Sequence, residues 1–214
     1  MPIINLNKKK ILFIHIPKSA GSTIEDNIIN NGISLTHLIR KNSTSVISPQ
    51  HYTRNDYIKE FGVKYFDHSF AIIRDPVERF VSAFTFNSHK ISIFKSLNNF
   101  INDLKSNNFY VNKFDNHFVP SSEFILNDTK LFYLDEQIIE NIKTYLEKIL
   151  ERKLYFKNMF INKGTDLKYS SNYFKTIIKR LLIRKPKSLL NPEIRSKIKD
   201  LYRDDYNLIE NIKN

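Results

Sequence analysis

The chain of 214 residues has no cysteine, contains 17 phenylalanines and 11 tyrosines, and carries 34 Lys and Arg residues against 22 Asp and Glu residues. This much apolar side chain can build the core of one domain, so the composition excludes a disordered chain, and the lack of cysteine excludes disulfides, Cys-ligated metal sites and thiol nucleophiles. No apolar stretch approaches the about 18–20 residues of a membrane span, so we expect a cytoplasmic protein that forms a single domain over residues 1–214.

The net charge of +12 predicts an anionic partner. Much of the excess lies in residues 152–187, which hold eleven basic residues and one acidic residue, Asp166. We expect a basic, helical C-terminal part from about residue 152. Nucleic acid, an acidic glycan, a phospholipid surface and a nucleotide would all be attracted, and a solvated face without a ligand stays an alternative. Lysine outnumbers arginine by 25 to 9, whereas the reading of bases favours arginine. We expect no nucleic acid as a partner, because a nucleic-acid-binding domain would explain the charge but not the two signatures described below.

The first predicted elements are a strand, a helix and a second strand. Residues 10–15 (KILFIH) are mostly apolar and β-branched, which predicts a buried strand with His15 as a packed core residue. Residues 22–31 predict a helix with an isoleucine face. Residues 69–73 (SFAII) predict a second buried strand, after which Pro76 begins a helix.

The later elements continue this alternation. Apolar residues at helical spacing predict an amphipathic helix over residues 97–104, and residues 131–134 (LFYL) predict a third strand. A further helix is expected over 138–149, and a single last helix over 191–212, capped by Asn191. Strands alternating with helices favour an α/β fold, in which helices cover both faces of a mainly parallel sheet.

The loop between the first strand and the first helix, residues 17–23 (PKSAGST), has the composition of an anion site. Amides at a helix N-terminus point at a bound anion, and the helix dipole favours negative charge. The loop adds one lysine charge and three hydroxyl groups, those of Lys18, Ser19, Ser22 and Thr23. Gly21 lets the backbone approach a ligand closely. An ordinary strand–helix turn is the alternative, and a Walker A loop is not formed because the lysine precedes the glycine.

A second signal follows the second predicted strand. Arg74 ends this strand, and Ser82 lies two turns into the next helix, so that both could face one phosphate. Asp75 is expected to cap the helix, and Arg79 is expected to form a salt bridge with Glu78 or Asp75. Taken alone, the segment is also typical of an ordinary strand–helix junction.

Together, the segments FIHIPKSAGST and IIRDPVERFVSAF resemble the two nucleotide-binding signatures of the sulfotransferases that depend on PAPS, 3′-phosphoadenosine 5′-phosphosulfate. The likeness is closer to the carbohydrate (Golgi-type, family 2) branch. It implies a P-loop-like three-layer fold, PAPS as co-substrate, PAP as product and no metal. It also implies that the 5′-phosphosulfate is bound by the loop residues Lys18, Ser19, Ala20, Gly21, Ser22 and Thr23. Arg74 and Ser82 are implied to bind the 3′-phosphate.

The resemblance extends more weakly over most of the chain. Four further segments are similar to elements of the family, namely residues 51–53 (HYT), 116–120 (NHFVP), 161–163 (INK) and 201–206 (LYRDDY). The chain departs from the family pattern at two loop positions. Ser19 stands where Thr or Val is usual, and Ser22 stands where Thr is usual. The residues after Pro120 lack an expected glutamine.

The resemblance implies an in-line transfer of the sulfuryl group to a hydroxyl of a carbohydrate or glycolipid, with Lys18 stabilising the leaving group. A histidine suits the work of the general base. Among the six histidines, His51 is our first candidate because of its position between the two signatures, and His117 is the second. Glu or Asp could serve instead. His15 is the expected core residue described above, and no motif surrounds His37, His68 and His89.

Two other classes of protein stay open. A P-loop-type nucleotide kinase would share the fold, although the position of the loop lysine argues against it. A non-catalytic polyanion-binding protein on the same scaffold would explain the charge but not the two signatures. An anionic glycan or glycolipid acceptor would suit the basic segment 152–187, and peripheral contact with a membrane is also compatible with it.

Overall fold

The computed structural model of the protein describes residues 2–38, 47–62, 64–91, 96–106, 114–157 and 190–213. A five-stranded sheet lies at its centre. Its strands are β1 (Ile3–Leu6), β2 (Lys9–Ile14), β3 (Leu35–Thr36), β4 (His68–Ile73) and β5 (Thr129–Tyr133), in the order β3-β1-β2-β4-β5. Strands β2, β4 and β5 pair in parallel, while β1 pairs antiparallel with β2 and β3, so four of the five strands run in the same direction. The prediction of a mainly parallel sheet is confirmed.

Strands β1 and β2 form a hairpin that the sequence analysis did not predict. Its two-residue turn is made by Asn7 and Lys8, both of which have positive φ angles, 53° and 63°. Turns of this kind match the twist of the strands they join. The hairpin places β1 between β2 and the short β3, so that the parallel strands continue into an antiparallel edge.

Seven α-helices lie among the described residues. They are α1 (Gly21–Asn30), α2 (Arg54–Phe61), α3 (Pro76–Phe86), α4 (Leu97–Ser106), α5 (Ile138–Leu150), α6 (Pro192–Leu201) and α7 (Arg203–Lys213). None of these helices is long and apolar enough to cross a membrane.

The helices cover both faces of the sheet, because successive strand residues alternate between the faces. Phe13 on one face of β2 belongs to a core cluster with residues of α1 and α5, and its ring stacks on that of Phe70 at a centroid distance of 4.7 Å. Ile14 on the other face belongs to a cluster with Tyr57 of α2 and Ile209 of α7. These two layers of helices around one sheet agree with the expected three-layer fold.

A third cluster of apolar side chains packs α3, α4 and α6 together. Phe80 of α3 and Phe100 of α4 are fully buried in it, as is Phe114 in the turn of residues 114–118. The rings of Phe100 and Phe118 lie 5.0 Å apart. This cluster supports the turn that carries His117.

The prediction of a single helix over 191–212 is wrong, because the chain breaks into α6 and α7 at Tyr202. Tyr202 is fully buried, and its hydroxyl donates a hydrogen bond of 2.9 Å to the main-chain oxygen of Phe118. The break lets α6 pack Ile198 against α3 and α4, while α7 packs Ile209 against the sheet. One straight helix could not reach both clusters.

Candidate active site

The two predicted signatures leave the sheet at the same edge. Strands β2 and β4 are parallel neighbours, with Ile14 paired to Ala71, and the loops into α1 and α3 follow their carboxyl ends. In open α/β sheets, ligands bind in the crevice outside these ends. The fold therefore brings the two segments into one place.

The loop that joins β2 to α1 contains two residues in the left-handed conformation, Lys18 (φ 69°) and Ala20 (φ 65°), on either side of Ser19. A residue with a side chain costs about 1–3 kcal/mol in so sparsely populated a conformation, so the surrounding structure must hold the loop in this shape. Alternation of this kind turns successive N–H groups toward one point and forms an anion-binding concavity. Two amides of this region are already engaged, since that of Ser19 donates to the main-chain oxygen of Ile16 (3.3 Å) and that of Thr23 to the main-chain oxygen of Ala20 (3.1 Å). Ala20, the N-cap of α1, has no side-chain acceptor, so the amides of Gly21 and Ser22 can add to the concavity.

The structure brings the predicted loop residues together at the start of α1. Ser19 is buried, and its Oγ has no hydrogen-bond partner among the residues that the structure describes. A buried hydroxyl without a partner costs about 1–3 kcal/mol, and an anion in the loop would supply the missing acceptor. Lys18 and Ser22 are half-buried, whereas Thr23 is buried in the first turn of the helix.

The loop glycine lies against the ring of His15. An added Cβ at Gly21 would lie 2.6 Å from Cε1 and 2.7 Å from each ring nitrogen of His15. The position therefore has no room for a side chain even without a ligand. The expectation that His15 is a core residue inside the first strand needs correction, since β2 ends at Ile14 and the buried His15 is held by polar partners.

Arg74 joins the two signatures. Its Nη1 donates a hydrogen bond of 3.2 Å to the main-chain oxygen of Lys18, and its Nη2 lies 3.3 Å from Oε2 of Glu78. The half-buried Ser82 is one helical turn beyond Glu78 on the same side of α3. Arg74 thus touches both the loop and the side of α3 on which Ser82 lies.

The prediction that Asp75 caps α3 is confirmed, since its Oδ1 accepts a hydrogen bond of 2.9 Å from the amide of Glu78. The predicted partners of Arg79 are wrong. Its buried guanidinium donates to the main-chain oxygens of His117 (3.4 Å) and Val119 (2.7 Å) and lies 3.7 Å from Oδ2 of Asp205. Arg79 faces the interior of the protein, where it holds the turn that contains His117.

The buried His51 and the half-buried Asp115 form a pair beside the loop. The Nδ1 of His51 lies 2.9 Å from Oδ2 of Asp115, which also accepts a hydrogen bond of 2.7 Å from the hydroxyl of Ser48. Oδ1 of the same carboxylate accepts a hydrogen bond of 2.6 Å from the amide of Ser48. Burial alone would raise the pKa of Asp115, but the bonds from His51 and Ser48 lower it well below its usual range. Burial lowers the pKa of His51, with partial compensation from Asp115. Burial thus favours the neutral ring, and a neutral ring that faces a carboxylate with Nδ1 carries its proton there and leaves Nε2 to accept one.

A second buried pair supports His51 from behind. His15 Nδ1 bonds to Oε1 of Glu25 on α1, and the side-chain amide of Gln50 donates to both oxygens of this carboxylate, at 2.9 and 3.0 Å. Burial would raise the pKa of Glu25, but His15 and Gln50 lower it below its usual value. The His15 and His51 rings are 5.3 Å apart. The pair therefore links α1, the loop of residues 17–23 and His51.

His117 completes a row of three histidines. Its ring lies 5.2 Å from that of His51 and 5.1 Å from that of Phe86. The ammonium of Lys18 lies over the ring of Phe86, 4.1 Å from its centroid. Asn87 fixes His117 from the opposite side through a hydrogen bond of 2.8 Å to Nδ1. Both sequence-predicted histidines thus lie in one group with Lys18.

His51, Asp115 and His117 each offer an atom that could ligate a metal, and these atoms lie within 4.8 Å of one another. Asp115 already accepts hydrogen bonds from Ser48 and His51, and Nδ1 of His117 is bonded to Asn87. Nε2 is therefore the ring atom through which either histidine could bind a metal with its Nδ1 contact intact.

Sequence reasoning did not single out Asp115, Asn87, Glu25 or Phe86 as site residues. Each meets its partner across the fold, and Asp115 is 64 residues from His51. One signal was present, since Asp and Asn tolerate positive φ, and Asp115 (54°) with Asn116 (59°) forms such a pair directly before His117. Asn116 also donates a hydrogen bond of 2.8 Å to the main-chain oxygen of His51.

Comparison with family models gives one match: the model described as "Sulfotransferase family" matches residues 2–210, nearly the whole chain. Comparison with the curated proteins and with the solved structures gives no match. The matched region contains the loop of residues 17–23, Arg74 and the row of histidines.

Proposed function

Since the chain belongs to the sulfotransferase family, we propose that it transfers a sulfuryl group from PAPS to a hydroxyl of a carbohydrate or glycolipid acceptor. The observation that supports this proposal is the convergence of the loop of residues 17–23, the side of α3 that faces Arg74 and a His–carboxylate pair at one edge of the sheet. Arg74 connects the first two of these through its bond to the Lys18 oxygen. The His51–Asp115 pair supplies the third.

The donor is bound through its two phosphate-bearing ends. Loop residues 18–23 offer backbone amides, hydroxyls and the Lys18 ammonium to the 5′-phosphosulfate, and the unpartnered Oγ of Ser19 suits a buried anion. Arg74 and Ser82 are the proposed ligands of the 3′-phosphate, the group that distinguishes PAPS from ATP. Glu78 pairs with Arg74. We expect the 3′-phosphate to replace that carboxylate, because a dianion attracts the guanidinium more strongly.

Lys18 and His51 divide the chemistry of the transfer. Negative charge builds on the leaving bridging oxygen, and the Lys18 ammonium stabilises it. His51 accepts the proton of the attacking hydroxyl at Nε2, while Asp115 holds the ring in the required tautomer and stabilises the imidazolium that forms. The lowered pKa of His51 keeps the base unprotonated at neutral pH.

The acceptor is proposed from the family branch and from charge. An anionic glycan would suit the basic segment 152–187, of which residues 158–187 lie outside the described residues. A cytoplasmic location, peripheral contact with a membrane, the absence of nucleic acid as a partner and independence from a metal all stay predictions.

Calorimetric binding of PAP, with AMP and ATP as controls, tests the donor site. We expect PAP to bind best and Arg74→Ala to weaken PAP by about 10–100-fold, because a charged hydrogen bond contributes about 1.5–3 kcal/mol. AMP binding should change little. The exposed Arg203 of α7 provides the matched control, since Arg203→Ala removes the same charge at a residue outside both signatures.

Each result has a defined meaning. A preference for ATP would point to a nucleotide kinase instead, and a lack of binding by all three nucleotides would point to a non-catalytic polyanion-binding protein. An equal loss of PAP and AMP binding in Arg74→Ala would refute the assignment of the 3′-phosphate site. Transfer of labelled sulfate from PAPS to a panel of glycans then identifies the acceptor.

A further inference from the structure

The two site histidines have opposite partners on Nδ1. A carboxylate, which only accepts hydrogen bonds when ionised, faces Nδ1 of His51. The side-chain nitrogen of Asn87, which only donates, faces Nδ1 of His117 at 2.8 Å. The neutral rings must therefore carry their protons on different nitrogens, His51 on Nδ1 and His117 on Nε2.

The orientation of the Asn87 amide decides this assignment. Its nitrogen also lies 2.9 Å from the main-chain oxygen of Ala83, an atom that can only accept. Exchanging nitrogen and oxygen would place two acceptors against each other and lose that bond, so the nitrogen must face both Ala83 and His117. Asn87 is fully buried at the end of α3, which prevents water from replacing either contact.

The surroundings of His117 also favour its neutral form. Burial lowers the pKa of His117 well below its usual value. A proton on the adjacent His51 would lower it further, as do the positive charges of Lys18 and Lys90, while the carboxylate of Asp115 acts in the opposite direction. An imidazole without charge, with its Nδ1 lone pair already engaged, can offer a substrate only its Nε2–H.

We propose that His117 is a catalytic hydrogen-bond donor, not an alternative base: its Nε2–H binds an oxygen of the sulfuryl group during transfer. This inference rests on the proposed function and deepens it. His117 lies between the two ends of the reaction, since its ring contacts His51 on one side and Phe86, which carries the Lys18 ammonium, on the other. During transfer, the sulfuryl group lies between the base, His51, and Lys18, which stabilises the leaving group.

The step balances with His117 as a spectator to proton transfer. The acceptor oxygen forms a bond to sulfur, its proton passes to Nε2 of His51, and the bond from sulfur to the bridging oxygen breaks. The electron pair of that bond stays with PAP, next to Lys18. His117 keeps its proton throughout and stabilises charge on a non-bridging oxygen, as a preorganised donor does.

Nitrogen-15 NMR of histidine-labelled protein tests the assignment without any substrate. At pH 7 we expect His117 to be neutral and protonated on Nε2, and His51 to be neutral and protonated on Nδ1. The ring signals that disappear in His117→Gln and in His51→Gln assign the two rings. As a control, replacement of the exposed His68 by Gln should remove its own signals and leave those of His51 and His117 unchanged. A His117 that is charged, or protonated on Nδ1, would overturn the proposal.

Kinetics with PAPS test the role. His117→Ala should lower kcat by about 10²–10³-fold, the usual effect of removing one such donor. His117→Gln should recover much of this loss, because its amide N–H can replace Nε2–H, while His51→Gln should stay inactive. An inactive His117→Gln beside an active His51→Gln would reverse the two roles. If the wild-type protein neither binds PAP nor transfers sulfate, the proposed function fails, and the NMR result then reports the tautomer alone.

Discussion

Replacing Gly21 with alanine tests the packing of the loop of residues 17–23 against the ring of His15. The added Cβ would lie 2.6 Å from the His15 ring, closer than the 3.0 Å that real Cβ atoms observe, so loop or ring must move. The ring cannot turn away without breaking its bond to Glu25. Overpacking a buried site costs about 1–3 kcal/mol, so we expect Gly21→Ala to lower the free energy of unfolding by about 2 kcal/mol. The Tm should fall by about 4–8 °C.

Urea denaturation of a double-mutant cycle separates this clash from other effects. His15→Asn shortens the side chain but keeps an N–H donor for Glu25, so Gly21→Ala should cost about 1–2 kcal/mol less in that background. Gly32→Ala is the matched control, because Gly32 has a φ of +71° and no atom near its would-be Cβ. Its cost comes from backbone strain and should be the same in both backgrounds. A stable Gly21→Ala, or an equal cost in both backgrounds, would refute the reasoning.

Two further predictions concern protonation. Asp115→Asn removes the carboxylate that raises the pKa of His51, so the acid limb of the pH profile of kcat/KM should move to lower pH. We also expect kcat to fall by about 10²–10⁴-fold. An unchanged pH profile would exclude His51 as the base. The folded-state pKa values of His51 and His117 lie below the unfolded value of about 6.5, so the unfolded chain binds more protons below that pH. Stability measured by urea denaturation should therefore be full above pH 6.5 and fall below it, by up to about 1.4 kcal/mol per pH unit for each histidine. A His117→Gln variant with the same slope as the wild type would contradict the assignment to His117.

The strands that carry the site could be predicted because their signals are local. Strands β2 and β4 each end in a run of four apolar residues, 11–14 and 70–73, and a proline follows each run three residues later. The structure places both strands within one residue of the expected bounds. Strand β1 has only two buried residues in four, and β3 has only two residues in all, so neither produces a pattern.

The contacts that complete the site could not be predicted in this way. Arg79 pairs with Asp205 across the fold, whereas local spacing suggested Glu78 or Asp75. Charge and spacing along a helix identify neighbours on that helix, but they contain no information about a partner brought near by tertiary packing. The position of His51 came from the family resemblance, while its partner Asp115 required the structure.

The turn of residues 114–119 is completed by a distant part of the chain. Asp205 accepts hydrogen bonds from the amides of Ser121 and Ser122 and lies beside Arg79, and Tyr202 bonds to the oxygen of Phe118. Asp205 follows Ser121 by 84 residues. During synthesis, the ribosome therefore makes the loop of residues 17–23 and His51 long before Tyr202 and Asp205. The turn that carries His117 acquires its full set of hydrogen bonds only when the last helix of the chain has been made.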